Sequence, residues 1–297
     1  MTTELQLEGL DGLRLIGEAS GRPSDPPALL FHGGGQTRHA WGGAADALAE
    51  RGWYAVTIDL RGHGDSAWSP DGVYDLDRFS GDVAAVARRF DRPVLVGASL
   101  GGISSLTAIG ESPTPIASAL VLVDVTPHLE RKGVERIGDF MRLGIDGFDS
   151  LDDVADAVAS YLPNRKRPSD VSGLRKNVRQ RADGKWVWHW DPAFFQRIGG
   201  DGGEPTGGRF TPEVRLDDAA RRVSIPTLLV RGGASDVVSK EGAAALKEMI
   251  PHAELVDVDG AGHMVAGDRN DRFTAAVLDF LERVVRPSLG PRADTLG

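Results

Sequence analysis

The sequence predicts an α/β fold, a doubly wound and mostly parallel sheet that carries a helical insertion. Three observations lead there. Short apolar runs alternate with longer stretches of helical spacing at both ends of the chain. Those runs are apolar on both faces, as strands must be when helices cover both sides of their sheet. The rhythm then stops between Thr126 and about Val223, where helical patterns continue without a strand series. The expected division is a core of residues 1–125 and 224–297, with residues 126–223 forming a helical cap.

Taken in order, Leu5–Leu7 and Leu13–Ile16 read as an N-terminal hairpin turning through Gly9–Gly12. Ala28–Phe31 is a strand that stops at a run of three glycines, and Ala44–Glu50 is a helix. Tyr54–Ile58 is a strand that runs into the loop DLRGHGDS at 59–66. Phe79, Val83, Val86 and Phe90 share helical spacing within Asp77–Phe90. Pro93–Val96 is a strand, Ile103–Ile109 a helix and Leu120–Val123 a strand. In the insertion, Val134–Leu143, Leu151–Tyr161 and Val171–Arg181 read as helices. Gly199–Gly208 reads as a flexible loop. The strand–helix rhythm resumes with Pro226–Val230, Gly242–Ile250, Ala253–Val258 and the helix Phe273–Val285, before a polar tail from Arg286.

Composition narrows the function. The chain has 297 residues, 41% hydrophobic and 26% charged, which is globular in character. It has no cysteine, which excludes a disulfide scaffold, a thiol nucleophile, an Fe–S cluster and a zinc ribbon. A formal charge of −9 argues against a nucleic-acid partner, which needs a basic face. With no basic leader and no long apolar run, no membrane association is expected, and the expected location is cytoplasmic. No metal cluster or dinucleotide fingerprint is evident, so no cofactor is expected. Glycine is in excess, with 38 residues, and the chemistry-bearing motifs account for part of it.

The strongest motif is Gly97-Ala98-Ser99-Leu100-Gly101-Gly102, between a strand and a helix. That is the context a G-x-S-x-G elbow requires. The turn is so sharp that side chains at Gly97 and Gly101 would strike neighbouring strands, and it would expose Ser99 at the sheet's carboxyl edge. His32-Gly33-Gly34-Gly35 follows an earlier strand, where backbone N–H groups can face a developing oxyanion. The N–H groups of Gly34 and Leu100 are the expected donors. His263, in Gly260-Ala261-Gly262-His263-Met264, lies on a glycine-flanked loop after the strand Glu254–Val258 and is the expected base. Asp236, just after the strand at 226–230, gives the chain order Ser99, Asp236, His263 and is the expected acid. Asp124, which follows the strand at 120–123, is its rival. Asp59 and Arg61 are expected to brace the loop beneath the site rather than to react.

HGGG at 32–35, DLRGHGDS at 59–66, GASLGG at 97–102, SDVVS at 235–239 and GAGHM at 260–264 occur in this order. Together they resemble the α/β-hydrolase fold superfamily, in its form with a single cap insert. That resemblance implies acyl transfer to water by Ser99, and therefore a carboxylic ester or lactone substrate. Relatives that form an alkyl–enzyme place an aspartate where this chain has Ser99, which disfavours that chemistry. The alternatives on the same triad are a C–C bond hydrolase and a cofactor-free perhydrolase or haloperoxidase. A slow-turnover ligand receptor is the alternative from another class. In the cap, Trp186, Trp188 and His189, with Phe140 and with Trp41 from the core, are candidate substrate contacts. Cap-to-core packing is the competing reading for them. The eight Lys and Arg between Arg165 and Lys185 read as the solvated face of an amphipathic helix. The sequence does not fix an oligomeric state.

Overall fold

The computed structural model describes residues 2–163, 167, 169–196, 213–265 and 270–289. The strands are β1 (Thr3–Glu8), β2 (Arg14–Ser20), β3 (Pro27–Phe31), β4 (Tyr54–Ile58), β5 (Val94–Ala98), β6 (Ala119–Val123), β7 (Val178–Gln180), β8 (Trp186–Trp188), β9 (Thr227–Gly232) and β10 (Glu254–Val258). The α-helices are α1 (Gly42–Glu50), α2 (Leu76–Ala87), α3 (Leu100–Glu111), α4 (Arg131–Arg142), α5 (Leu151–Tyr161), α6 (Ala193–Gln196), α7 (Glu213–Arg221), α8 (Lys240–Met249) and α9 (Asn270–Phe280).

Eight strands form one sheet in the order β1-β2-β4-β3-β5-β6-β9-β10. The pairings of β2 with β1 and with β4 are antiparallel, and the rest are parallel. Successive residues of the central strands point to opposite faces. Leu29, Phe31, Leu95, Leu120 and Leu122 meet α2, α3, α7 and α8, while Leu30, Val94, Val96, Val121 and Val123 meet α1 and α9. Both faces are therefore dry, which is why these strands read as apolar runs. The helices start where the sequence offers caps. Asp75 accepts from Arg78 N–H, Ser239 accepts from Gly242 N–H, and Ser150 forms a capping box with Asp153.

The insertion departs from the all-helical expectation. Val171–Arg181 forms a 3₁₀ turn (Ser172–Lys176) followed by strand β7, which pairs with β8. The local cause is alternation: Trp186 and Trp188 are buried on one side while Val187 is less so, and Gly184, at φ +87°, allows the turn. The basic stretch is thus not a helix face. Arg179 pairs with Asp65, Arg181 with Asp183, Lys185 with Asp149, and Arg167 with Asp152 and Asp156. Arg165 and the loop Gly199–Gly208 lie outside the described residues. Helix α7 lies inside the expected cap range but packs on the core. Leu216 and Ala220 join the core, Arg215 pairs with Glu111 and Asp77, and Gly110 of α3 abuts the Ala219 backbone.

Candidate active site

Strand β5 delivers Ser99 into a tight turn. Its backbone sits at φ 45°, ψ −115°, a strained conformation for a residue with a side chain. The turn is held from both neighbours: Ser99 N–H donates to Val123 O at 3.3 Å and Gly101 N–H to His32 O at 3.2 Å. The flanking glycines are required by space. A methyl at Gly97 would come 2.5 Å from Gly101 O, and one at Gly101 would strike the Phe31 carbonyl of β3. The expected elbow is present, with Ser99 half-buried at the first turn of α3.

Of the two candidate aspartates, the structure brings Asp124 and not Asp236 to His263. His263 Nδ1 lies 2.7 Å from Asp124 Oδ2, and Asp124 is fully buried. Asp236 is turned away. Its two oxygens take Nε and Nη2 of Arg136 at 2.7 and 2.9 Å, and its side chain is 42% exposed. Burial would push the Asp236 carboxyl up, but the Arg136 guanidinium outweighs it and holds the carboxyl below its usual range. The reason lies in the β9–α8 turn. Ser235, not Asp236, points inward, donating to Asp124 Oδ2 at 2.6 Å, while Gly232 N–H reaches Asp124 Oδ1 at 2.8 Å. Asp124 itself sits at φ 48°, a left-handed conformation that aspartate tolerates better than most residues. The hydrogen bond to Asp124 assigns the proton of a neutral His263 to Nδ1 and leaves Nε2 as an acceptor.

The glycine loop after β3 runs beside the elbow. A methyl at Gly33 would stand 3.3 Å from Ser99 Cβ, and one at Gly34 would stand 3.9 Å from Leu100 Cδ2. Gly33 N–H donates to Gln36 Oε1 at 2.9 Å and Gly35 N–H to His63 Nε2 at 3.1 Å. Among the described residues, the N–H groups of Gly34 and Leu100 have no such acceptor. The residues flanking Gly34 are thus tied down, and the two expected donors remain available.

Histidines hold this loop. His32 Nδ1 meets Gly33 O at 2.7 Å, and its Nε2 accepts from Leu60 N–H at 3.0 Å. His63 Nδ1 meets Arg61 O at 2.9 Å while its Nε2 serves Gly35. Burial drives both imidazoles far down, to about 4 for His32 and about 3 for His63, so both are neutral. His189 continues the column with its centroid 5.9 Å from that of His63, and its Nδ1 accepts from Gly64 N–H at 2.7 Å. Its bonded role is therefore to fasten the cap to the DLRGHGDS loop. Asp59 and Arg61 brace that loop as expected. Asp59 binds the backbone and guanidinium of Arg38 and the N–H of Asp65, and Arg61 makes two 2.6 Å bonds to Asp82.

The other candidate contacts are packed side chains. Trp41 is fully buried against Phe273, on the α1/α9 face of the sheet and away from the cap layer, which corrects its expected place in a pocket. The cause is its position just ahead of α1, whose apolar face turns it inward. Phe140 stacks on Tyr161 at 4.3 Å, Trp188 stacks on Trp190 at 4.9 Å, and Arg175 covers the ring of Trp186. Met141, which the sequence did not single out, and Trp190, the third tryptophan of the 186–190 run, roof the glycine loop. A methyl at Gly35 would come 2.7 Å from Met141 Cε and 3.3 Å from the ring of Trp190.

A strained serine elbow, an imidazole bonded to a buried carboxylate and a glycine loop thus gather at the carboxyl edge of one parallel sheet. The model of the alpha/beta hydrolase family matches residues 28–276. The chain belongs to the α/β hydrolase family. This hydrolase is 33% identical over 254 residues to esterase Rv0045c of Mycobacterium tuberculosis, covering 83% of this chain and 79% of that one. A crystal structure of the same M. tuberculosis esterase superposes with a TM-score of 0.72 at 30% identity, over 95% of this hydrolase and 92% of that chain. The crystal structure of E-2-(acetamidomethylene)succinate hydrolase gives a TM-score of 0.79 at 24% identity, over 95% of this chain and all of that one, a likeness of fold. Ser235 and Arg136 were missed at the sequence level. The inward serine had a signal, since it directly precedes the expected acid, whereas Arg136 is 100 residues from its partner and had none.

Proposed function

We propose that this hydrolase cleaves carboxylic esters or lactones through an acyl-enzyme on Ser99, with His263 as base and Asp124 as acid. The carrying observation is the 2.7 Å bond from His263 to the buried Asp124, beside the strained elbow that presents Ser99. Ser99 Oγ attacks the carbonyl carbon as its proton passes to His263 Nε2. Asp124 stabilises the imidazolium that forms. The N–H groups of Gly34 and Leu100 stabilise the tetrahedral oxyanion, and losing one such donor typically costs about 2.7–4 kcal/mol of barrier. Collapse expels the alcohol, which takes the proton from His263. Water, deprotonated by the same imidazole, then attacks the acyl-enzyme and releases the acid. For a lactone, the alcohol and the acid are the two ends of one product.

The test is turnover of p-nitrophenyl acetate and butyrate, and of a simple γ-lactone, by the wild type and by Ser99→Ala. The expected loss is at least about a thousand-fold. A fluorophosphonate probe should label Ser99 in the wild type and fail to label His263→Ala. Equal rates for the wild type and Ser99→Ala would overturn the proposal.

A further inference from the structure

We infer that Ser235 is a positioning residue for the acid of the site, its hydroxyl locked as a donor onto the carboxylate oxygen that also takes His263. The inference rests on the reading of Asp124 and His263 given above. A serine hydroxyl has one proton and two acceptor directions. Both acceptor directions are occupied, by Val237 N–H and Val238 N–H, each at 3.1 Å. The proton therefore has one remaining destination, Asp124 Oδ2, at 2.6 Å. That length is usual for a hydroxyl donating to a charged carboxylate. Ser235 N–H in turn closes the turn onto Gly232 O at 3.0 Å, so the hydroxyl is held by its own backbone.

Asp124 Oδ2 thus receives two donors, Ser235 Oγ and His263 Nδ1, while Oδ1 receives Gly232 N–H. In a site with no exposure at Asp124, negative charge given to one donor is withdrawn from the other. Ser235 orients the carboxylate and shares Oδ2 with the His263 ring. Two further ion pairs bear on this pair. Asp236, on the β9–α8 turn and paired with Arg136, acts on His263 only through charge, and Arg231 of β9, paired with Asp257 of β10, acts likewise on Asp124.

Ser235→Ala removes the competing donor, so Oδ2 becomes more basic and holds the imidazolium more strongly. The acid limb of the kcat/KM pH profile should move upward by roughly half a unit to one unit, with KM little changed. Ser235→Thr keeps the hydroxyl and should restore the wild-type limb. The same shift should appear in the NMR titration of the His263 ring in a Ser99→Ala background, which reads the pair without turnover. A merely structural role for Ser235 would lower activity or melting temperature and leave the limb and the titration midpoint in place. An unmoved His263 midpoint in Ser235→Ala overturns the inference. Ester turnover that survives Ser99→Ala overturns the proposed function instead.

Discussion

Two aspartates lie within reach of the chemistry, and their surroundings separate them. Asp124 is dry and receives three hydrogen bonds, one of them from His263. Asp236 is partly exposed and spends both oxygens on Arg136, whose guanidinium also lies over Tyr161 at 4.7 Å and donates to the Tyr161 carbonyl. We expect Asp124→Asn to lower kcat/KM on p-nitrophenyl butyrate by about 10³–10⁴-fold, because the amide no longer stabilises the imidazolium. Asp236→Asn should lower it by less than about ten-fold. A half-exposed pair of this kind contributes only about 0.2–1 kcal/mol, so its loss should scarcely change the melting temperature. The opposite order of effects would return the acid to Asp236. Both residues follow a strand and precede His263 in the chain, so the sequence offered each as a candidate. What separates them is the direction of two neighbouring side chains in one turn, and that is set by Asp124 and Arg136, distant residues no local pattern reveals.

Among the elements, the strands of the sheet were legible because burial on both faces leaves apolar runs of strand length, and β4 matches its expected span, Tyr54–Ile58. The elbow was legible for a related reason. Gly97 and Gly101 are dictated by the backbone of a neighbouring element, which leaves a fixed spacing in the sequence. The cap was less legible. β7 and β8 are three residues each, too short to establish a period against the helical spacing of Val171, Leu174 and Val178. Its contact with the site passes through α4, which brings Met141 onto Gly35, and through Trp190. We expect Met141→Ala to open space beside the Gly33–Gly35 loop and raise kcat/KM for p-nitrophenyl hexanoate relative to acetate. A buried Met→Ala change also costs about 2–5 kcal/mol of stability, which a melting curve would read. An unchanged hexanoate-to-acetate ratio in a folded variant would show that Met141 does not border the acyl group.

At the scale of the whole molecule, the buried imidazoles tie stability to pH. His32 and His63 are held neutral by burial, with values near 4 and 3 against an ordinary 6.5, and His189 is pushed well down as well. The unfolded chain takes up protons below about 6.5 that the native protein refuses until 4 or 3. Stability should therefore be unaffected by these groups above pH 6.5 and fall as pH is lowered from there. The loss is up to about 1.4 kcal/mol per pH unit for each histidine. The melting temperature should drop between pH 7 and pH 5, and the drop should be smaller in His63→Gln. An equal drop in that variant would remove His63 from the account.

Ala98 pairs with Val123 in the register of β5 and β6, so Ser99 and Asp124 are the next residues along two adjacent strands. Their separation is therefore set by the repeat between neighbouring strands, about 4.8 Å, and not by any loop. Ser99 and Asp124 are thus spaced by the sheet itself, and the turn at 235–239 lies against that pair through Ser235. A change in that turn would therefore alter what Asp124 bonds to without altering the spacing of Ser99 and Asp124 along the sheet.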